Sequence, residues 1–219
     1  MPFYKSILYS ILFLVILELV GFWIVLVPND NTFFTIRYSH IVNSVIQLFL
    51  VVSFFILIKR KDLYKLNKTH YKYYVIAILA GLLFPFIQPF LKIFYYFKIP
   101  PSDIFHLDFD IIKLKSLSII ASIGIVPITE ELFFRNFIQS ELQLKYRPII
   151  SILIASICFS LIHVPVVSLF YDYIDFSLSQ SYIAIFGGII SGILYYKSKS
   201  VGPSIVFHVI WNFIVHILF

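Results

Sequence analysis

The chain has 219 residues, of which 60% are hydrophobic, 19% are aromatic and only 13% are charged. Soluble domains carry about 25% charged residues, so this composition excludes an ordinary soluble protein and indicates an integral membrane protein. The formal net charge of +6 does not indicate a nucleic-acid partner, because the basic residues cluster in short segments between apolar stretches.

In chain order, about seven apolar segments are long enough to cross the hydrocarbon core of a bilayer as helices, which takes about 20 residues. Their predicted ranges are 7–27, 38–58, 73–97, 116–138, 149–170, 182–196 and 203–218. The sixth segment is short and the third and fourth contain prolines, so about six to eight spans fit the sequence. We therefore predict an all-α, polytopic transmembrane helical bundle that forms a single membrane-embedded domain over residues 1–219.

The charges of the loops predict the orientation of this bundle. The loop 59–72 is rich in lysine and arginine. Further basic residues follow the fourth span, at Lys145 and Arg147, and the sixth span, at Lys197 and Lys199. The alternate loops carry aspartates instead. By the positive-inside rule, this asymmetry places the N-terminus in the cytoplasm. The chain is small and rich in Ile, Phe, Tyr and Lys, which is typical of proteins from AT-rich bacteria. We therefore expect it in a bacterial plasma membrane.

The fourth span contains three charged side chains, Glu130, Glu131 and Arg135, within an otherwise apolar stretch. A charged side chain at the centre of a span costs about 2.5–3.5 kcal/mol on insertion scales, so this cluster indicates a functional site. Glu131 and Arg135 are four positions apart and share a helical face, which allows them to pair. Glu130 is rotated by about 100° from Glu131 and can therefore serve a different purpose, such as general base.

Two later spans carry histidine at helical spacing from another residue. His163 follows Phe159, which we expect to be a packing residue, and Asn212 follows His208. Taken singly, each polar residue is also explained by a hydrogen bond between helices. Taken together with the glutamates, they predict an apparatus for the attack of water on a carbonyl group, with hydrogen-bond donors for the oxyanion.

The other four histidines are left outside the predicted site. His40, His70 and His106 lie in or near loops, where we expect them to face solvent, and His216 lies near the outer end of the seventh span. In the sixth span, the spacing Gly188-x-x-x-Gly192 predicts a close approach to a neighbouring helix.

Three motifs thus occur in order on C-terminal spans: Glu130-Glu131-x-x-x-Arg135, Phe159-x-x-x-His163 and His208-x-x-x-Asn212. In this order they resemble the CAAX-protease and bacteriocin-processing family of Abi-type intramembrane proteases, which includes the Rce1-like CAAX prenyl endopeptidases. The resemblance covers residues 115–219, the predicted catalytic core, whereas residues 1–114 show only spans and loops. It implies an intramembrane endopeptidase.

The resemblance also implies how the motif residues act. Glu130 is expected to act as the general base and to hold the attacking water together with His163. His208 and Asn212 are expected to form an oxyanion hole. Glu131 and Arg135 are expected to support the site. This chemistry needs no cofactor. A zinc site with Glu131, His163 and His208 as ligands stays open as the alternative. It is disfavoured because no His-Glu-x-x-His pair occurs on one helix.

The expected partners are the lipid bilayer and a membrane-associated peptide or protein substrate, with or without a prenyl group, and no nucleic acid. A second hypothesis comes from the same resemblance, because bacterial relatives are often linked to bacteriocin self-immunity. Such a protein would protect by binding rather than by cleavage. A proton-coupled transporter would also explain glutamate and histidine on facing helices. It is disfavoured because the sequence shows no internal repeat.

Overall fold

The computed structural model describes residues 1–21, 32–64, 66–97, 117–165 and 174–218, and these residues contain helices and no β-strand. The helical elements are α1 (Phe3–Gly21), α2 (Thr32–Leu57), a 3-10 turn (Lys61–Tyr64), α3 (Lys72–Tyr96), α4 (Leu117–Ile123), α5 (Ile125–Glu131), a π-helix (Leu132–Gln139), α6 (Ser140–Gln143), α7 (Pro148–Leu161), α8 (Ile174–Ser198) and α9 (Gly202–Leu218). The prediction of an all-α helical bundle is confirmed.

Five helices of the described residues are long and apolar enough to cross a membrane. They are α1, residues 38–57 of α2, α3, the consecutive helical segments of 117–143, and α8. The apolar helices α7 and α9 are shorter, with 14 and 17 residues. In order, these seven helical units correspond to the seven predicted segments.

The predicted boundaries are wrong for two spans. The fifth span was expected to reach residue 170, but α7 ends at Leu161 and a turn leads to Pro165. A proline disfavours helical geometry in the residue before it, which explains a helix end at this point. The rest of the predicted span, 166–170, lies outside the described residues. The sixth span is longer than expected, because the serines and glutamine of its first half lower the hydropathy without ending the helix.

The helix through the fourth span is interrupted where the site begins. Pro127 has no N–H to donate to the carbonyl of Ile123, and the helix is interrupted at Gly124, between α4 and α5. After Glu131 the backbone widens into the π-helix, whose eight residues are all buried. Such π-segments occur often at functional sites.

The third span, α3, lies parallel to α9. The Tyr74 hydroxyl meets Gly202 near the start of both helices, and further along the Phe84 ring contacts the edge of Trp211 at a centroid distance of 4.9 Å. Between these contacts, a Cβ at Gly81 would lie 2.8 Å from a backbone carbonyl of α9. The small residue therefore allows the close approach that fixes α3 against α9.

The approach predicted from the glycines of the sixth span is confirmed between α8 and α7. A Cβ at Gly188 would lie 3.0 Å from the Cβ of Ser156, and one at Gly192 would lie 3.0 Å from a side-chain carbon of Ile152. The two helices can therefore pack at short distance over at least one turn.

The loops that were predicted to share one side of the membrane meet at one end of the bundle, which we call the basic end. Thr69 donates a hydrogen bond to the Ser198 carbonyl at 2.8 Å, which joins the loop after α2 to the end of α8. Arg60 pairs with Asp62 and with Glu141 at the end of the fourth span. These hydrogen bonds raise the pKa of the Arg60 guanidinium.

Candidate active site

The polar motif residues of three separate segments meet at a cavity of about 270 Å³. Glu130 lines it from α5, His163 from the turn after α7, and His208 and Asn212 from α9. Trp211 forms part of the wall, and its ring stacks on the His208 imidazole at a centroid distance of 5.2 Å. The structure therefore brings together the four residues to which the resemblance assigns contact with water or substrate.

Glu131 lies behind this cavity and is only 1% exposed. Its Oε2 accepts hydrogen bonds from Arg135 Nε, at 3.1 Å, and from the Ser191 hydroxyl of α8. Its Oε1 lies 3.2 Å from His208 Nδ1 of α9. One carboxylate thus connects three helical segments, and both of its oxygens are engaged.

These partners determine which nitrogen of His208 carries a proton. Arg135 is charged at every ordinary pH, and its ion pair with Glu131 requires an ionised carboxylate, which only accepts hydrogen bonds. The Nδ1 atom of His208 therefore donates to Glu131. The other ring nitrogen, Nε2, lies 3.8 Å from Glu130 Oε2, which is beyond hydrogen-bond distance. This nitrogen donates a hydrogen bond only when the ring carries both protons.

Arg135 is fully buried, with an exposed fraction of 0%. Its Nε also donates to Ser191 Oγ at 3.2 Å. Among the described residues its two terminal nitrogens have no hydrogen-bond partner. The guanidinium instead lies over the Phe159 ring, 5.2 Å from the centroid, where a cation–π interaction stabilises it.

Phe159 has packing contacts with several polar residues of the motifs. Besides Arg135, its ring contacts the His163 ring at 4.8 Å and the His208 ring at 5.7 Å, both edge-on. These contacts agree with the expectation that Phe159 packs, and they explain why an aromatic residue accompanies a histidine in this motif: it orients imidazole and guanidinium groups that come from three segments.

The other two cavity residues are oriented by backbone carbonyls. His163 Nδ1 lies 3.1 Å from the Phe159 carbonyl, which can only accept, so Nδ1 is protonated and Nε2 is the acceptor nitrogen of the neutral ring. Asn212 Nδ2 donates to the Ser122 carbonyl at 2.9 Å. That bond uses one of its two N–H groups and fixes the plane of the amide.

Residues 113–214 match the family model described as type II CAAX prenyl endopeptidase Rce1-like. We call this stretch the Rce1-like domain. This range contains all three motifs, so the family resemblance is confirmed for this part of the chain. No curated protein and no solved structure matched the chain. The match to this family model and the five membrane-length helices indicate an integral membrane protein.

Several polar residues of the cavity were missed by the sequence analysis. His40 and His216 line it, although both were left outside the predicted site, and His40 is also exposed as expected. His106 lies outside the described residues. His216 follows Asn212 by four positions, so its helical face was a usable signal. Gln88 of α3 and Gln180 of α8 also line the cavity. No local pattern distinguished them, and Gln88 lies outside the Rce1-like domain.

The alternative zinc ligands are not arranged as a ligand set. Within the described parts of the chain, no group of three His, Cys, Asp or Glu side chains is placed to hold a metal ion. His163 and His208 line the cavity, whereas Glu131 does not and already accepts hydrogen bonds at both oxygens. These residues therefore do not fit the zinc ligand set, and metal independence of the reaction stays a prediction.

Proposed function

We propose that this protein is an intramembrane endopeptidase in which Glu130 activates the attacking water. The observation that supports this most directly is the shared cavity, in which Glu130 and His163 lie with His208 and Asn212 inside an Rce1-like domain. A carboxylate, an acceptor imidazole and two hydrogen-bond donors are the groups that hydrolysis of an amide requires.

The reaction would begin with a water held between Glu130 and His163 Nε2. Glu130 takes a proton from this water while the water oxygen forms a bond to the carbonyl carbon. The electron pair of the carbonyl bond moves to oxygen, which becomes the oxyanion of a tetrahedral intermediate. Glu130 then returns the proton to the amide nitrogen, the C–N bond breaks, and a carboxylic acid and an amine leave.

The oxyanion would be stabilised from α9. The second N–H of Asn212 and the Nε2–H of a doubly protonated His208 both donate to it. The ring lies between two carboxyl groups, with Nδ1 3.2 Å from the ionised Glu131 and Nε2 3.8 Å from Glu130, which carries the proton of water at this stage. Glu131 and Arg135 act as positioning residues, because they reach the reaction only through His208.

The substrate we propose is a membrane-associated peptide or protein, with or without a prenyl group. The positive-inside rule places the basic end, and with it the N-terminus, in the cytoplasm. Gln88 of α3, Gln180 of α8 and His216 of α9 lie about 20–27 Å along their helices from the basic end, so the substrate would reach the cavity from the opposite half of the membrane.

Cleavage by the purified protein in detergent tests this proposal. A fluorogenic farnesylated CAAX peptide and a mixture of membrane peptides serve as substrates for the wild type, for Glu130→Gln and for the control Glu18→Gln, each with and without a chelator. Glu18 lies on α1 and is not among the described residues that line the cavity. We expect Glu130→Gln alone to abolish cleavage and the chelator to have no effect. Full activity of a folded Glu130→Gln variant would overturn the mechanism. Loss with chelator that zinc restores would favour the zinc alternative.

The alternative of an immunity protein that acts by binding is separated by the same variant. Cells that express wild type or Glu130→Gln are exposed to a bacteriocin against which the wild type protects. Protection that requires Glu130 agrees with cleavage, whereas equal protection by the variant favours binding.

A further inference from the structure

We propose that Gln88 positions the substrate by hydrogen bonding to its peptide backbone inside the cavity. This proposal rests on the endopeptidase function proposed above. It assigns a role in peptide recognition to α3, which lies outside the Rce1-like domain. Gln88 would be a positioning residue, since it binds the chain beside the scissile bond and takes no part in the proton transfers.

The environment of the Gln88 amide indicates an absent partner. The side chain lines the cavity, yet its Nε2 atom is inaccessible to solvent and has no hydrogen-bond partner in the part of the chain that the structure describes. Buried polar groups in proteins are nearly always hydrogen-bonded, and an exception calls for an explanation. The Gln88 side chain lines the cavity that is proposed to receive a peptide, and rotation of its amide would bring this donor to a peptide carbonyl in that cavity.

The position of Gln88 is fixed relative to His208 and Asn212, the proposed donors to the oxyanion. It lies one turn after Phe84, whose ring contacts Trp211, the neighbour of Asn212 in the sequence. It also lies between two buried prolines, Pro85 and Pro89, which restrict the backbone on either side. Since α3 is packed tightly against α9 at Gly81, Gln88 is held on a rigid element, as precise substrate binding requires.

The chemistry of the cavity favours a neutral backbone amide as the partner. Among the described residues that line it, none is lysine or arginine, so no fixed cation is present to bind a carboxylate terminus. A peptide bond that enters a membrane must have its N–H and C=O groups satisfied. A carboxamide both donates and accepts, so it matches such a bond. Gln180 adds a second carboxamide to the same cavity.

Kinetics of Gln88→Met test this role, because methionine keeps the length of the side chain and removes its hydrogen bonds. The neighbouring, lipid-facing Ile87→Ala, at a residue 47% exposed, is the control. With a peptide that the wild type cleaves, we expect Gln88→Met to raise KM roughly 3- to 10-fold, the effect of one hydrogen bond, with kcat and the Ile87→Ala kinetics within about twofold of wild type. An unchanged KM would overturn the proposal.

Substrates with one backbone amide replaced by an ester separate binding from a merely structural role. An ester is a weaker acceptor and lacks the N–H, so replacement of the amide that Gln88 binds should raise the wild-type KM by a similar factor. In Gln88→Met the same ester should have no further effect. Equal ester effects in both proteins, at every position near the scissile bond, would contradict the assignment. If Gln88→Met does not fold, Gln88→Glu, which loses the donor, takes its place.

A binding assay distinguishes failure of this inference from failure of the proposed function. If the wild type cleaves no peptide, the endopeptidase proposal fails by itself. Fluorescence anisotropy then compares binding of the farnesylated peptide to Glu130→Gln and to Glu130→Gln with Gln88→Met. Binding weakened about 3- to 10-fold by the second substitution supports the inference. Equal binding, or no binding to either protein, overturns it.

Discussion

His208 Nδ1 and Glu131 Oε1 are 3.2 Å apart although 77 positions separate the two residues in the chain. Through this contact the second glutamate of the pair orients the imidazole that faces the first. Two adjacent carboxylates therefore differ in their surroundings: Glu130 lines the cavity, and Glu131 is enclosed by Arg135, Ser191 and His208.

The two glutamates should differ in their effect on stability. In Glu131→Gln the buried Arg135 loses its counter-charge, and breaking such a pair costs about 3–5 kcal/mol. Glu130→Gln leaves that ion pair intact, so we expect a change in the free energy of unfolding of less than about 1 kcal/mol together with loss of activity. Thermal or denaturant unfolding of both variants in detergent measures this difference. Equal stabilities would show that the Glu131–Arg135 pair is not the main support of the site.

Ser191 should matter more than an equally buried serine elsewhere. Its hydroxyl donates to Glu131 and accepts from Arg135, so Ser191→Ala removes two contacts of the ion pair and should cost about 1–3 kcal/mol and lower kcat. Ser156 on α7 is the matched control, because its hydroxyl donates only to a carbonyl of its own helix at 2.7 Å. We expect Ser156→Ala to change the free energy of unfolding by less than about 1 kcal/mol. Indistinguishable unfolding and kcat for the two variants would contradict the network.

Asn212→Ala should act on the chemical step. The bond to the Ser122 carbonyl orients the amide, and the other N–H is the proposed oxyanion donor. Loss of one such donor lowers kcat by about 10²- to 10³-fold with little change in KM. Asn67→Ala, at the basic end, should keep kcat within about twofold. A raised KM with an unchanged kcat for Asn212→Ala would instead make Asn212 a contact of the bound substrate.

Gly187→Ala should disturb both the packing and the site. An added Cβ would overlap the Trp211 ring, which stacks on His208, and overpacking of this kind costs about 1–3 kcal/mol. We expect a lower unfolding temperature and reduced cleavage. Gly21→Ala is the control, because a Cβ at Gly21 meets no atom of the described residues within 4 Å. Unimpaired stability and activity in Gly187→Ala would mean that Trp211 shifts without moving His208.

Some of the site could be predicted because charge in an apolar helix is costly. Glu130, Glu131 and Arg135 stand out in their span for that reason, and a separation of four positions correctly predicts the Glu131–Arg135 pair, observed at 3.1 Å. His216 shows the limit of such local reasoning. Its helical spacing from Asn212 was visible, but its place in the cavity depends on how the neighbouring helices pack around α9.

The sequence by itself determined the membrane character of the chain, the order of the spans, and which residues of the C-terminal part are candidates for chemistry, because hydropathy and helical periodicity are local properties. Only the tertiary structure decided that Glu131 meets His208 and Ser191, that Phe159 contacts both histidines, and that Gln88 of α3 enters the site. These contacts depend on the tilt and register of helices that lie far apart in the chain. The break at Gly124 and the π-helix after Glu131 also change the direction of the side chains, which a regular helical period does not describe.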